Sequence, residues 1–204
     1  MIAIIDYGAG NLFSIERAFR VLGADIHITN NKNEIYTSEK IILPGVGAFG
    51  DCMKRLTNTG LISVLKDAII SGTPLLGICV GLQILFDASE ESPGIDGLGI
   101  LHGRVRRIQS QGEKIPHVGW NSLSIDDHRK ESYLLTDLPP SPYVYFVHSY
   151  HAVPTDPSII TSRSLYGEYI TSSISTKNIM ATQFHPEKSG NIGLRILKNF
   201  INFR

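Results

Sequence analysis

Short apolar runs, each ending in a turn rich in glycine, proline or asparagine, recur through the first half of this chain and limit what it can fold into. Met1-Ile2-Ala3-Ile4-Ile5 stops at Asp6-Tyr7-Gly8-Ala9-Gly10-Asn11, Ile26-His27-Ile28 at Thr29-Asn30-Asn31, Ile41-Ile42-Leu43 at Pro44-Gly45, and Leu75-Leu76-Gly77-Ile78 at a sharp turn. Helical spacing follows the first run, with Leu12, Ile15, Phe19 and Leu22 on one face, and a second helix is predicted from Val80 to Phe86. A strand without polar alternation must be covered on both faces. The pattern therefore predicts an α/β fold, a mostly parallel open sheet of flavodoxin-like type with helices on both sides.

Beyond about Gly99 the texture changes to Ser- and Thr-rich alternation, as in Tyr143 to Val147, Tyr169 to Ile174 and Ile179 to Phe184. These segments predict additional, partly antiparallel strands in the C-terminal half. A last helix is expected to begin with Ser189 as N-cap and to bury Ile192, Ile196, Leu197 and Phe200. With 204 residues and no long polar linker, repeat or low-complexity tract, one domain over residues 1–204 is expected.

Nineteen basic and nineteen acidic residues cancel, so the surface offers no attractive field to nucleic acid or anionic lipid. Ala68 to Phe86 carries no charge, but Ser71-Gly72-Thr73-Pro74 interrupts it with turn chemistry, which argues against a membrane span. The apolar run before Asp6 is too short for a signal peptide. Two cysteines, Cys52 and Cys79, without a Cys-x-x-Cys pair, indicate neither a disulfide framework nor a thiolate metal site. A cytoplasmic protein with no metal or cofactor is expected.

The chemistry concentrates at Gly77-Ile78-Cys79-Val80-Gly81, a thiol counterpart of the G-x-S-x-G nucleophile elbow, set where a buried strand meets a helix. Small flanking residues suit a strained turn, and a helix start favours a thiolate and offers N–H groups to an oxyanion. The bland alternative is a structural cysteine between packing glycines. A thiol nucleophile also needs a base. Of the histidines at 27, 102, 117, 128, 148, 151 and 185, His185 stands out in Phe184-His185-Pro186-Glu187, after an apolar strand. Pro186 favours extended backbone at His185, where residues i and i+2 point alike, so Glu187 is expected to orient the imidazole. Parallel strand ends would bring both to the sheet edge that carries Cys79.

These motifs resemble the class I, triad-type glutamine amidotransferases, carried by Gly77 to Gln83 and by Gln183-Phe184-His185-Pro186-Glu187. A narrower resemblance, to the glutaminase subunit of imidazole glycerol phosphate synthase, rests on Asp6 to Asn11, Pro44-Gly45-Val46-Gly47-Ala48-Phe49, Ile115-Pro116-His117-Val118-Gly119-Trp120-Asn121 and Phe146-Val147-His148-Ser149-Tyr150. The resemblance implies that Cys79 attacks the side-chain amide of L-glutamine, with His185 as base and Glu187 as its orienter. It implies a substrate site at Gly45, Val46, Gly47, Val80, Gln83, Ser149 and Tyr150, with the Val80 amide and the Pro44–Gly47 strand end forming the oxyanion hole. Its implied partner is a (βα)8-barrel cyclase subunit, a heterodimer partner met near Asn11, Trp120, Tyr145 and Lys188. From residue type alone Trp120 reads as a core anchor. Val80, Leu82 and His151 depart from the family's usual residues. That departure keeps in view a paralogous glutaminase serving a barrel partner that acts on another acceptor, such as an amino-sugar precursor of surface polysaccharide.

Overall fold

A computed structural model describes residues 1–125 and 133–203; His128 lies outside the described residues. The first half runs β1 (Ile2–Ile5), α1 (Leu12–Val21), β2 (Ile26–Thr29), α2 (Lys32–Thr37), β3 (Lys40–Leu43), α3 (Phe49–Thr59), α4 (Ile62–Ile70), β4 (Leu75–Ile78) and α5 (Val80–Gln83). Then come β5 (Ala88–Ser89), β6 (Gly103–Arg107), β7 (His117–Ser122), β8 (Ser124–Ile125), β9 (Tyr143–His148) and β10 (Tyr150–Pro154). The chain continues through β11 (Ile160–Tyr166), β12 (Glu168–Thr176), β13 (Ile179–Thr182) and α6 (Gly190–Asn202).

The main sheet has the order β2-β1-β3-β4-β13-β12-β11-β8. Its first five strands are mutually parallel and the last three run antiparallel. Every residue of β1, β4 and β13 is buried, as two-sided cover requires. Outside this sheet, β10-β6-β5 form a small three-stranded sheet and β7-β9 an antiparallel ribbon. Buried apolar side chains make one contiguous cluster from Ile2 to Phe200.

One predicted boundary is corrected, and another holds without the cap bond expected of it. The helix expected to reach Phe86 stops at Gln83, where the ladder tightens to i−3 bonds: Leu85 N–H donates to Leu82 O at 3.3 Å and Phe86 N–H to Gln83 O at 3.1 Å, while Leu98 and Leu101 N–H take the Ile84 and Leu85 carbonyls at 2.8 and 2.9 Å. Ser189 does occupy the N-cap position of α6, yet its hydroxyl makes no cap bond. It donates instead to His185 O at 2.7 Å and accepts from Tyr145 N–H at 3.0 Å.

Candidate active site

Three glycines interlock beneath the elbow. A Cβ on Gly81 would lie 1.9 Å from Leu43 O, and one on Gly45 would lie 2.6 Å from Gly81 N. One on Gly77 would crowd Gly81 O at 3.0 Å. The first two approaches exclude any side chain, so β3 and α5 meet backbone to backbone and Cys79 is held between them. Cys79 itself takes φ 56°, ψ −110°, a strained conformation for a residue with a side chain. Its N–H donates to Thr182 O at 2.8 Å, which fixes the end of β4 against the end of β13.

His185 follows three residues after the end of β13, at that same sheet edge. Its Nδ1 lies 2.7 Å from Glu187 Oε1, with both side chains buried. The contact arises differently from the sequence expectation. His185 is extended (φ −98°, ψ 97°), but residues Pro186–Lys188 form a single 3-10 turn, and this turn rather than an extended chain brings Glu187 back to the ring. Burial works to lower the His185 pKa; the Cys79 sulfur and the Glu187 carboxylate outweigh it and raise it to about 10. With Nδ1 engaged, Nε2 is the ring nitrogen without a partner among the described residues.

A cavity of about 270 Å³ opens beside these groups. That volume falls below the ~300–1,000 Å³ of drug-sized sites and suits an amino acid. Val46, Gly47, Cys79, Val80, Gln83, Ser149, Tyr150 and His185, all singled out in the sequence, line it. Gly45 does not line it but packs behind Val80, and Glu187 likewise stands behind His185. The Val80 N–H expected to receive an oxyanion instead donates to Gly45 O at 3.3 Å. Neighbouring carbonyls of that strand end are also tied, Pro44 O by the Tyr7 hydroxyl at 2.5 Å and Val46 O by the Cys52 thiol at 3.4 Å.

Sequence reasoning missed Glu91, His148 and Gln183. Glu91 lines the cavity and accepts from Phe49 N–H at 2.7 Å. His148 also lines it, and its ring joins His117 at 3.1 Å and Tyr150 O at 2.9 Å. Gln183 is fully buried with its amide nitrogen 3.7 Å from Cys79 Sγ. Alternation could have found it, since residues 183 and 185 share a side of an extended chain.

Trp120 is 55% exposed, so the core-anchor alternative fails. It pairs across the β7–β9 ribbon with Tyr145, their ring centroids 6.2 Å apart, and Lys188 Nζ stands 5.8 Å from the Tyr145 ring. Val118 and Val147 pair on the same outer face, both exposed. Asn11 is exposed where α1 begins, beyond the end of β1. Among the described residues no cluster of His, Cys, Asp and Glu could hold a metal, and no helix is long and apolar enough to cross a membrane.

The family model for class-I glutamine amidotransferases matches residues 3–203, and the chain belongs to that family. Within it, the chain is 48% identical over 202 residues to the imidazole glycerol phosphate synthase subunit HisH of Thermosynechococcus vestitus, covering 98% of this chain and 95% of the relative. It is 49% identical to the HisH subunit of Methanothermobacter thermautotrophicus, with 98% of each covered, and 47% identical to that of Aquifex aeolicus, with 97% and 94% covered. A solved glutamine amidotransferase matches at TM-score 0.76 with 18% identity, covering 98% of this chain and 97% of that one. A chain of the PurLQS structure from Thermotoga maritima matches at 0.74 with 19% identity and the same coverage, and these two likenesses speak to the fold alone.

Proposed function

We propose that this chain is the glutaminase subunit of an imidazole glycerol phosphate synthase. It hydrolyses L-glutamine to glutamate and ammonia at Cys79 and passes the ammonia to a (βα)8-barrel cyclase subunit that makes imidazole glycerol phosphate and AICAR in histidine biosynthesis. The chain acts as one domain over residues 1–204, in the cytoplasm, without a cofactor. The observation that carries the reading is the meeting of a strained thiol elbow with a histidine ring anchored by a buried carboxylate, in a chain nearly half identical to subunits of that name. Those relatives favour the histidine pathway over the amino-sugar alternative.

In the reaction the Cys79 sulfur attacks the glutamine amide carbon, and the C–N bond breaks as the imidazolium of His185 gives its proton to the departing ammonia. Neutral His185 then takes a proton from water, whose oxygen attacks the glutamyl thioester. The C–S bond breaks, and its electron pair returns to sulfur. Glu187 holds the ring with Nε2 towards the reacting atoms. The Glu91 carboxylate is suited to the substrate's α-ammonium.

The oxyanion of each tetrahedral intermediate needs N–H donors, and the Val80 N–H is engaged by Gly45 O. Freeing it requires the Pro44–Gly47 strand end to rotate, a change that a partner docked near Asn11, Trp120, Tyr145 and Lys188 would favour. The test is the rate of glutamate release by the chain alone, with the barrel subunit, and with the barrel subunit plus an acceptor analogue. A low rate rising strongly in that order supports the coupling; three equal rates mean an autonomous glutaminase.

A further inference from the structure

One side-chain amide reaches the Cys79 sulfur, and the network around it decides which end of that amide does so. Gln183 lies with one terminal atom 3.7 Å from Cys79 Sγ and the other 3.0 Å from the Gln83 amide. An amide's oxygen and nitrogen are alike in size and can be exchanged by a flip, but hydrogen-bond logic separates them. The Tyr150 carbonyl can only accept, so the Gln83 atom 2.9 Å from it is the NH₂ group. That same NH₂ group faces Gln183, whose atom there must be the carbonyl oxygen. The opposite end of Gln183, pointed at Cys79, is therefore its NH₂. The anchor is itself held, since His148 Nδ1–H also donates to Tyr150 O.

We propose that Gln183 is a catalytic residue, a fixed hydrogen-bond donor to the Cys79 sulfur that favours its thiolate form. The inference rests on Cys79 being the nucleophile. Sulfur carries negative charge twice in the cycle, before it attacks the amide carbon and again when the C–S bond of the thioester breaks. In the thioester between them it is uncharged, and the donor gains little. A hydrogen bond to an ionised acceptor is roughly twice as strong as a neutral one, so Gln183 acts differentially on the charged states. Because Gln183 does not line the cavity, its loss is expected to lower kcat with little change in KM for glutamine.

The experiment follows the alkylation of Cys79 by iodoacetamide against pH, peptide by peptide in a mass spectrometer, in the wild-type chain, Gln183→Glu and Gln183→Met. Both variants keep the side-chain length; Gln183→Met removes the donor without adding charge, whereas Gln183→Glu keeps an acceptor for Gln83 but also sets a carboxylate beside the sulfur, which raises the midpoint by repulsion as well. The midpoint of the Cys79 profile is expected to rise by about one pH unit, a tenfold loss of thiolate below it. The plateau above it should rise roughly threefold, since thiolate nucleophilicity follows basicity with a coefficient of about 0.4–0.5. Labelling of Cys52 should stay at its wild-type level, which separates a lost donor from a loosened fold. The rise in Gln183→Met is the supporting result; an unmoved Cys79 midpoint in Gln183→Met with wild-type Cys52 labelling overturns the proposal, and an unmoved midpoint in Gln183→Glu, which loses the amide donor and gains charge, overturns it even where Gln183→Met does not fold. Glutamine hydrolysis retained by Cys79→Ala would instead overturn the proposed function and leave the donor contact standing.

Discussion

In the proposed reaction Glu187 tunes a base without making or breaking a bond. Its Oε1 holds His185 Nδ1 at 2.7 Å, and with Cys79 it raises the ring's pKa to about 10 despite burial. Glu187→Gln keeps the shape and removes the charge, so the imidazolium is less favoured and the ring less firmly oriented. Glutaminase kcat should fall by about 10²–10⁴-fold, and by less than in Cys79→Ala, as steady-state kinetics of the complex would measure. A silent Glu187→Gln with an intact fold would return Glu187 to the status of a loop carboxylate. The Cys79 elbow was legible because glycines at fixed spacing around a thiol leave a local pattern. Gln183 left only its two-residue offset from His185 and Glu91 left nothing local, since their contacts reach across 104 and 42 positions of the chain.

At the level of elements, the proposed coupling has a route through backbone. His185 N–H donates to Tyr145 O at 3.0 Å, and Ser189 bridges Tyr145 N–H to His185 O, so the β9 strand of the exposed ribbon is tied directly to the histidine turn. The Pro44–Gly47 strand end is the second moving part. Gly47 has φ +90° with open space around its Cα, so a side chain there is opposed by conformation and not by collision. Gly47→Val should therefore cut the partner's stimulation of glutamine hydrolysis while leaving complex formation, measured by titration calorimetry, nearly unchanged. Trp120→Ala and Lys188→Ala should disturb association or coupling. Full stimulation in Gly47→Val would show that this strand end does not move. The alternation of apolar runs and turns made the parallel sheet readable. The early end of α5 and the turn at Pro186–Lys188 were not, because partners outside each segment hold them: the Leu98 and Leu101 N–H groups on the Ile84 and Leu85 carbonyls, and the Tyr145 backbone on His185 and Ser189.

Across the whole molecule, acid should loosen the fold through its buried histidines before the carboxylates titrate. Burial lowers His117 to about 4 and His148 to about 3; burial first, and then Arg106, lower His151 to about 4. Unfolded, all three titrate near 6.5, so below that pH the unfolded chain binds more protons than the folded one. Their contribution is complete above about pH 6.5 and is lost as pH falls towards 4. Tm should accordingly drop between those values, and a flat Tm over that window would mean the rings are not held neutral.

The central claim is that Cys79 makes ammonia and does nothing else for the synthase. The most direct measurement is imidazole glycerol phosphate formation by the complex of Cys79→Ala with its barrel subunit, supplied with glutamine or with ammonium. Glutamine should then yield no product, and ammonium should yield product at the wild-type rate. Product formed from glutamine by that variant would contradict the claim.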